Sequence, residues 1–480
     1  MALTYYSRQT GLRGQRIIEQ YQYTQLKVQQ NRHCPLNDIL HYCQQIRSSD
    51  IPSPPIHRLP TELLLAIFSL ATDSSADSLD LKQGLWLFSH VCSSWRHLVL
   101  AMPYLWSHIQ IKPAPVALSA QPTLNRVQAL ETYLSRSQNL PISAKVTLKG
   151  DSDLPLLHTL MAHSQRWRVF KACMPAIFYH DLSPIKYSLP LLEHISLSLP
   201  HALSSRVSTG IRIDAFGHAP VLQLVDTPNW HFDLANSLDV PWEQVRHFRS
   251  RCAAGLSGIL ERMVNVEEIE VEGFPFDSYT SGESSLENGK KIGLPRLRRL
   301  RTRIDCTPIF EHCYMPALEE LALTHTRYMT DCPLLKRWSS LDRLEENSDI
   351  PRPSSLHKIH ISHLTTGLAD VLLEFLLSQT ATGIEELALG TWAVGGLEKI
   401  LTLLASPFGG CCHCSHAYCA PKVLPDLHIL KLEGNLMDGG MFGRLGEIRQ
   451  NLRVKAKWFQ EYPNLEDIRF HSPRLDFSDV

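Results

Sequence analysis

The sequence predicts an α+β multi-domain chain: a small all-α helical module near the front, then an irregular α/β repeat body that fills most of the length. Three observations carry this. A unit Pro-x-Leu-x-x-Leu-x-Leu recurs through the C-terminal part, as in Pro190–Leu197, Pro316–Leu323 and Pro425–Leu432. Ahead of it, residues 59–106 hold two stretches with apolar residues at three- and four-residue intervals, the period of a helix with one buried face. The composition, 44% apolar and 20% charged over 480 residues, supplies a large core with no bias toward disorder. At about 150 residues per domain the length suggests roughly three units.

Charge and cysteine content exclude several classes. With 47 Lys and Arg against 48 Asp and Glu, the net charge is −1, which argues against sequence-independent nucleic-acid binding. Twelve cysteines in such a chain are far too sparse for a disulfide scaffold. The start, MALTYYSRQTGLRGQR, has no apolar core of a secretory signal. The longest apolar run, Leu63–Phe68, is too short to cross a bilayer. The expectation is a soluble protein of a reducing compartment, in the cytoplasm, the nucleus or both, with neither membrane nor nucleic acid as partner.

Residues 1–50 are rich in Gln and Tyr and predict a polar helical segment, broken at Pro35. Residues 51–55 form a Pro-rich linker, because three prolines in four positions cannot sit inside a helix. From Leu59 the pattern changes. Pro60 suits the first turn of a helix, where its missing N–H costs nothing, and Glu62 faces the positive end of the dipole. Leu63, Leu64, Ile67, Phe68 and Ala71 then make one broad apolar face. A second stretch places Leu85, Phe88, Val91, Cys92, Trp95 and Leu98 on a stripe, closing at Pro103–Trp106 and a short strand-like Ile109–Ile111. So small a body carries more apolar side chains than it can bury internally, so part of its surface should be covered by another protein.

These residues resemble the F-box, specifically the F-box-like domain abundant in mushroom-type fungi. The likeness rests on Leu59, Pro60, Glu62, Leu63, Ile67 and Phe68, then on Val91, Cys92, Trp95, Arg96, Leu98, Pro103, Leu105 and Trp106, and covers residues 56–111. It implies docking on the small adaptor subunit of a cullin–RING (SCF-type) ubiquitin ligase, with Leu59, Pro60, Leu63, Ile67, Phe68, Val91 and Trp95 buried against that adaptor. The rest of the chain would then hold a protein substrate for ubiquitin-dependent degradation. One departure from the family pattern is the longer loop between Phe68 and Leu85, with Asp73, Asp77 and Asp80 in it. A loop insertion costs little closure entropy, so docking survives it.

After a linker at 112–125, the repeat body spans 126–480. Val127–Leu134 reads as a helix and Ile142–Leu148 as the first strand. The first apolar position of each repeat falls at 167, 192, 222, 245, 266, 297, 318, 356, 384, 427 and 465, ten intervals over 298 residues. Such a spacing predicts stacked units, each with a short period-two strand whose alternate residues enter a shared core. The pattern is similar to the irregular leucine-rich repeats that usually follow an F-box, which implies a horseshoe.

Residues between the inward leucines should line the open face of the strands. Glu268, Glu270 and Glu272 would stand beside Arg299, Arg301 and Arg303, and those beside Glu320, Ala322 and Thr324. Either Arg299, Arg301 and Arg303 grip an acidic or phosphorylated substrate segment, or the glutamates neutralise them laterally and the set holds register. The tract Cys411–Cys419, inside a loop at 409–421, offers Cys411, Cys414, His416 and Cys419 as weak metal candidates. It lacks the distant second pair of zinc ribbons, and reads as an exposed thiol-rich loop with no metal or cofactor required. Trp230 and Trp242 flank a stretch with His231 and Phe232 that suits either a recognition hot spot or packing under a loop.

Enzyme signatures fail. Gly282 and Gly289 are too far apart for a phosphate loop and Lys291 replaces its hydroxyl residue. Gly255-Leu-Ser-Gly258 is one residue short of a nucleophile elbow. The expected role is non-catalytic, as a ligase subunit or as a scaffold working without cullin; a metal-dependent enzyme is the distant alternative.

Overall fold

The computed structural model describes residues 55–72, 76–113, 120–200, 212–230, 233–253, 255–274, 291–324, 331–340, 355–391, 394–404, 423–434, 453–458 and 468–469. The expected polar helices of 1–50, nearly all of the Pro-rich linker, and the tract with Cys411, Cys414, His416 and Cys419 lie outside the described residues. The chain divides into two compact units, Met1–Ile67 and Phe68–Val480.

In the first unit a 3-10 turn, Pro55–Arg58, leads into helix α1, Thr61–Ala71, whose last turns belong to the second unit. The Pro60 carbonyl accepts from the Leu63 and Leu64 N–H groups, each at 3.1 Å, so the proline stands just outside the helix and starts it. At the other end Thr72 donates both its N–H and its hydroxyl to the Phe68 carbonyl and closes the last turn.

The second unit begins with the rest of the helical region. The single amphipathic stretch expected over 85–98 is two helices, α2 (Gly84–Val91) and α3 (Ser93–Ala101). Cys92 between them is extended, with φ −158° and ψ 169°, and its Sγ accepts from the Trp95 N–H at 3.4 Å. That cap, with Arg96 Nε donating to the Ser89 carbonyl at 2.7 Å, satisfies groups that a continuous helix would have paired internally. A 3-10 turn, Pro103–Ser107, follows. It brings Trp106 against Trp86 and against Tyr133 of helix α4 (Ala120–Arg136), with ring centroids 5.3 and 4.7 Å apart. The Arg136 guanidinium lies 4.5 Å from the Trp106 ring and 4.8 Å from that of Trp86, a cation–π stack.

Among the described residues sixteen strands follow in chain order: β1 (His108–Ile111), β2 (Ile142–Thr147), β3 (Trp167–Cys173), β4 (His194–Ser198), β5 (Leu224–Asn229), β6 (His247–Cys252), β7 (Glu268–Phe274), β8 (Ile292–Gly293), β9 (Arg299–Arg303), β10 (Cys313–Tyr314), β11 (Glu320–Thr324), β12 (Lys358–Leu364), β13 (Glu386–Thr391), β14 (Ile429–Gly434), β15 (Arg453–Trp458) and β16 (Ile468–Arg469). Fourteen of them form one sheet in sequence order, while β8 and β10 pair separately. Every neighbouring pair in the large sheet is parallel except β15 and β16. With helices such as Leu154–Met161, Pro333–Ser340, Thr366–Leu376 and Val394–Leu404 between strands, this is an α+β leucine-rich-repeat arrangement following a helical module.

Each part of the repeat unit has a visible job. Leu192, Leu222, Leu297, Leu318 and Leu427 each donate an N–H to the carbonyl three residues back, closing a turn with the proline (190, 220, 295, 316, 425) in its second position. Proline's fixed φ pre-sets that position, so it forms the turn. The next residue donates to the equivalent carbonyl of the preceding repeat. This makes a chain of bonds that runs from the Glu193 N–H to the Arg168 carbonyl, then through Gln223, Arg246, Glu267, Arg298, Glu319, His357 and Glu385 to His428. The strand leucines Leu300, Leu321, Leu323, Leu387, Leu389, Leu430 and Leu432 are buried, and each contributes about 1.5–3 kcal/mol relative to exposure.

The ends of the sheet differ from expectation. The first strand is β1, at 108–111, rather than 142–148, so the expected boundary at 111 cuts through the sheet. The loop before α2 covers the outer edge of β1. Ser78 donates its N–H to the Gln110 carbonyl at 2.8 Å and accepts the Gln110 N–H on its hydroxyl at 2.9 Å. Asp77 accepts from the Lys112 N–H and pairs with Arg126 at 2.8 Å. At the far end β15 carries no Pro-x-Leu unit and was not expected. The copy at Pro463 yields β16, antiparallel because the 459–467 connection is shorter than the dozen residues a parallel crossover needs.

Candidate interaction surfaces

In the first unit Leu63 is 52% exposed and Ile67 38%, four residues apart on α1, while Leu64 is buried. Leu59 is half-buried and Pro60 exposed. In the second unit Leu70 is 86% exposed, and Leu87 and Val91, four apart on α2, are 50% and 53% exposed. Helices that leave large apolar groups in water on one side while burying others on the opposite side carry two apolar faces, and only one of them serves the protein's own core.

Phe68 corrects an expectation. It was expected to face a partner, but it is fully buried, stacked on Phe88 at 5.0 Å and edge-on to Trp95 at 4.7 Å. Its side chain is core of the module. Trp95, half-buried, completes that cluster and keeps its indole N–H buried with no hydrogen-bond partner among the described residues. Leu70 and Leu87 were missed in the sequence, since helical periodicity identifies an apolar face without saying whether the core or water receives it.

On the open face of the sheet the strand register sets Glu268 beside Arg299 and Glu270 beside Arg301. Arg299 Nη2 lies 3.0 Å from Glu268 and Arg301 Nη1 3.2 Å from Glu270. Arg249 of β6 reaches the same two carboxylates from the other side, at 3.9 and 3.1 Å. Lys431 likewise pairs with Glu386. Burial pushes the Glu268 carboxyl up, but Arg299, the His247 hydrogen bond and Arg249 outweigh it and hold the group below its ordinary value. The ladder is thus laterally neutralised at Arg299 and Arg301. Arg303 does not join it. It is buried and binds Asp305 through Nε at 3.0 Å and Nη2 at 2.5 Å, because the strand ends there in a 3-10 turn that folds Asp305 back. Arg303 is therefore withdrawn from the exposed set.

Toward β4 and β5 the same face holds a partly buried group. Ser196 donates to Asp226 at 2.8 Å, and burial raises the Asp226 carboxyl despite that bond, Arg249 and Lys171. Burial, then Lys171 and Arg249, push His194 down to about 4.

Trp230 and Trp242 are both fully buried, the former donating to Ser237 Oγ at 3.0 Å, so both pack inward and neither forms a hot spot. His231 and Phe232 lie outside the described residues. Among the described residues no three His, Cys, Asp or Glu side chains come together as a metal site. No described helix is long and apolar enough to cross a membrane.

Comparison with known proteins adds one assignment. Residues 56–112 match the F-box-like family model, and the match covers this segment alone. No curated protein matches the chain. Among solved structures, an internalin (inlF) from Listeria monocytogenes aligns at 10% identity over 75% of this chain and 90% of that one, with a TM-score of 0.30. The repeat architecture rests on this chain's own strand register.

Proposed function

We propose that this protein is a substrate-recognition subunit of an SCF-type cullin–RING ubiquitin ligase, non-catalytic itself, with the F-box-like segment docked on the adaptor and the repeat body holding a protein target. The observation that carries the reading is the pairing of an F-box-like match at 56–112 with large apolar side chains left in water on that same segment, Leu63, Ile67, Leu70, Leu87 and Val91. Its chemistry is proximity. A target held beside a recruited carrier enzyme meets the charged ubiquitin at a raised effective concentration, and the chain supplies position while its partners supply catalysis. The compartment that fits is the cytoplasm or nucleus, where such ligases work.

Co-purification with the adaptor tests this. The adaptor and cullin should come down with the full chain, and Leu63→Asp combined with Val91→Asp should abolish that capture while the fold, read by circular dichroism, persists. Capture that ignores both changes places the interface elsewhere. Absence of any capture leaves the repeat body as a scaffold that works without cullin.

A further inference from the structure

On the open face Arg249, Arg299, Arg301 and Lys431 each pair with a carboxylate, and the lysines of the first strands do not. Lys145 of β2 and Lys171 of β3 are register neighbours, both exposed. Parallel strands lie about 4.8 Å apart. Like charges side by side on neighbouring strands are destabilising. Yet neither ammonium forms an ion pair among the described residues, unlike Arg249, Arg299, Arg301 and Lys431 on the same face. Lys171 acts on Asp226 and His194 only at longer range.

The two lysines line a cavity of about 360 Å³, walled on the opposite side by the loop that covers β1. That size is within the range of about 300–1,000 Å³ typical of ligand pockets. Its other lining residues include Ser143, Tyr104, Ile109 and Thr72, the last with its hydroxyl already donating to the Phe68 carbonyl. The carboxylate that lines it, Asp77, is already committed to Arg126 at 2.8 Å and to the N–H groups of Leu79 and Lys112, so it does not neutralise the lysines. Two ammonium groups with no ion pair among the described residues, the Ser143 hydroxyl and an apolar wall suit a dianion carried on an organic stem.

We propose that this cavity is an anion subsite that takes a phosphorylated side chain of the bound protein target, gripped by Lys145 and Lys171. The inference rests on the reading of the repeat body as the target-holding part. It also moves the anion-binding role away from Arg299 and Arg301, whose charges the neighbouring glutamates already answer.

The test is titration calorimetry on the full chain with three probes: N-acetyl-O-phosphotyrosine amide, N-acetyl-O-phosphoserine amide and inorganic phosphate. At least one amide should bind more tightly than inorganic phosphate. Lys145→Ala with Lys171→Ala should weaken it by about tenfold or more, the scale of a lost charge-assisted contact, while Lys431→Ala leaves it unchanged. The proposal is overturned if neither amide binds the wild-type chain, if binding survives the double substitution, or if inorganic phosphate binds as tightly as either amide, which would make the site one for a free ion. Adaptor capture is read on the same preparations. Its absence from the wild-type chain counts against the ligase reading alone, since phosphate binding does not need the adaptor.

Discussion

Arg301 reaches across from β9 to Glu270 on β7, its Nη1 3.2 Å from Oε1, while Arg249 of β6 holds the other carboxylate oxygen through Nε at 3.1 Å. One carboxylate between two guanidinium groups is therefore the joint of three successive repeats. Glu270 is 17% exposed and the arginines about half, 49% and 50%.

Because the arginines are well solvated, each pair is worth roughly 0–1 kcal/mol. Arg301→Ala should move the urea midpoint little. Glu270→Ala should cost more than Arg301→Ala, since it unpairs Arg301 and leaves Arg249 only its longer contact with Glu268 at 3.9 Å. Equal effects in equilibrium denaturation would show that the joint has no electrostatic role.

Phe68 and Leu63 should separate by mechanism, although both sit on α1. Phe68→Ala removes a fully buried ring from contact with Phe88 and Trp95 and should destabilise by about 3–5 kcal/mol. Leu63→Ala, at a side chain half in water, should leave the thermal midpoint nearly unchanged while weakening adaptor capture. A Phe68→Ala chain as stable as wild type would refute the core assignment.

His194 should give an acid-side signature. Its folded pKa of about 4 lies below the ordinary 6.5, so between those values the unfolded chain binds a proton that the folded chain refuses. Its contribution to stability is full above pH 6.5 and is lost as pH falls toward 4. Glu268, held low, also loses stability on acidification, through its own folded pKa, whereas the raised Asp226 acts in the opposite sense. His194→Gln should flatten the decline in unfolding free energy between pH 6.5 and 4. A difference between variant and wild type that stays constant over that interval would contradict the assignment.

Gly255 is held at φ +72°, and a Cβ there would stand 2.3 Å from Asp233 Oδ1, the oxygen that caps the Leu234–Ser237 helix through the Asn236 N–H. Gly255→Ala combines a left-handed backbone with loss of that cap and should cost about 2 kcal/mol or more. Gly293→Ala, where the added carbon meets open space, is the control. Equal melting points for the two would refute the clash.

What the sequence made legible follows the range of the forces involved. The large-sheet strands from β3 to β14 were readable because the opening apolar residue and alternating pair of each repeat are a local, repeated solution to the same packing problem, whereas β8 and β10, which pair apart from that sheet, carry no such unit. The lateral pairing of Glu268 and Glu270 with Arg299 and Arg301 followed from the register that repetition imposes. Arg303 departs from it because a single turn two residues later supplies Asp305. Phe68 and Leu63 share one helical periodicity, and only the tertiary neighbours of each decide which is core. Cys92, the membership of β1 in the sheet, and β15 carry no period of their own. The Lys145–Lys171 cavity needed several distant segments brought together before its charge imbalance could be seen.

The hydrogen bonds that Ser78 donates to the Gln110 carbonyl and accepts from the Gln110 N–H leave the leading strand with no free rung at that point. A stack of parallel strands is a template that could in principle grow by recruiting a neighbour's end, one molecule upon another. The longer acidic loop acts here as a stopper at the leading end. Growth from that edge is therefore blocked at Gln110. A chain trimmed of Asp77–Asp80 would present raw edge to its copies and invite filaments in place of single particles.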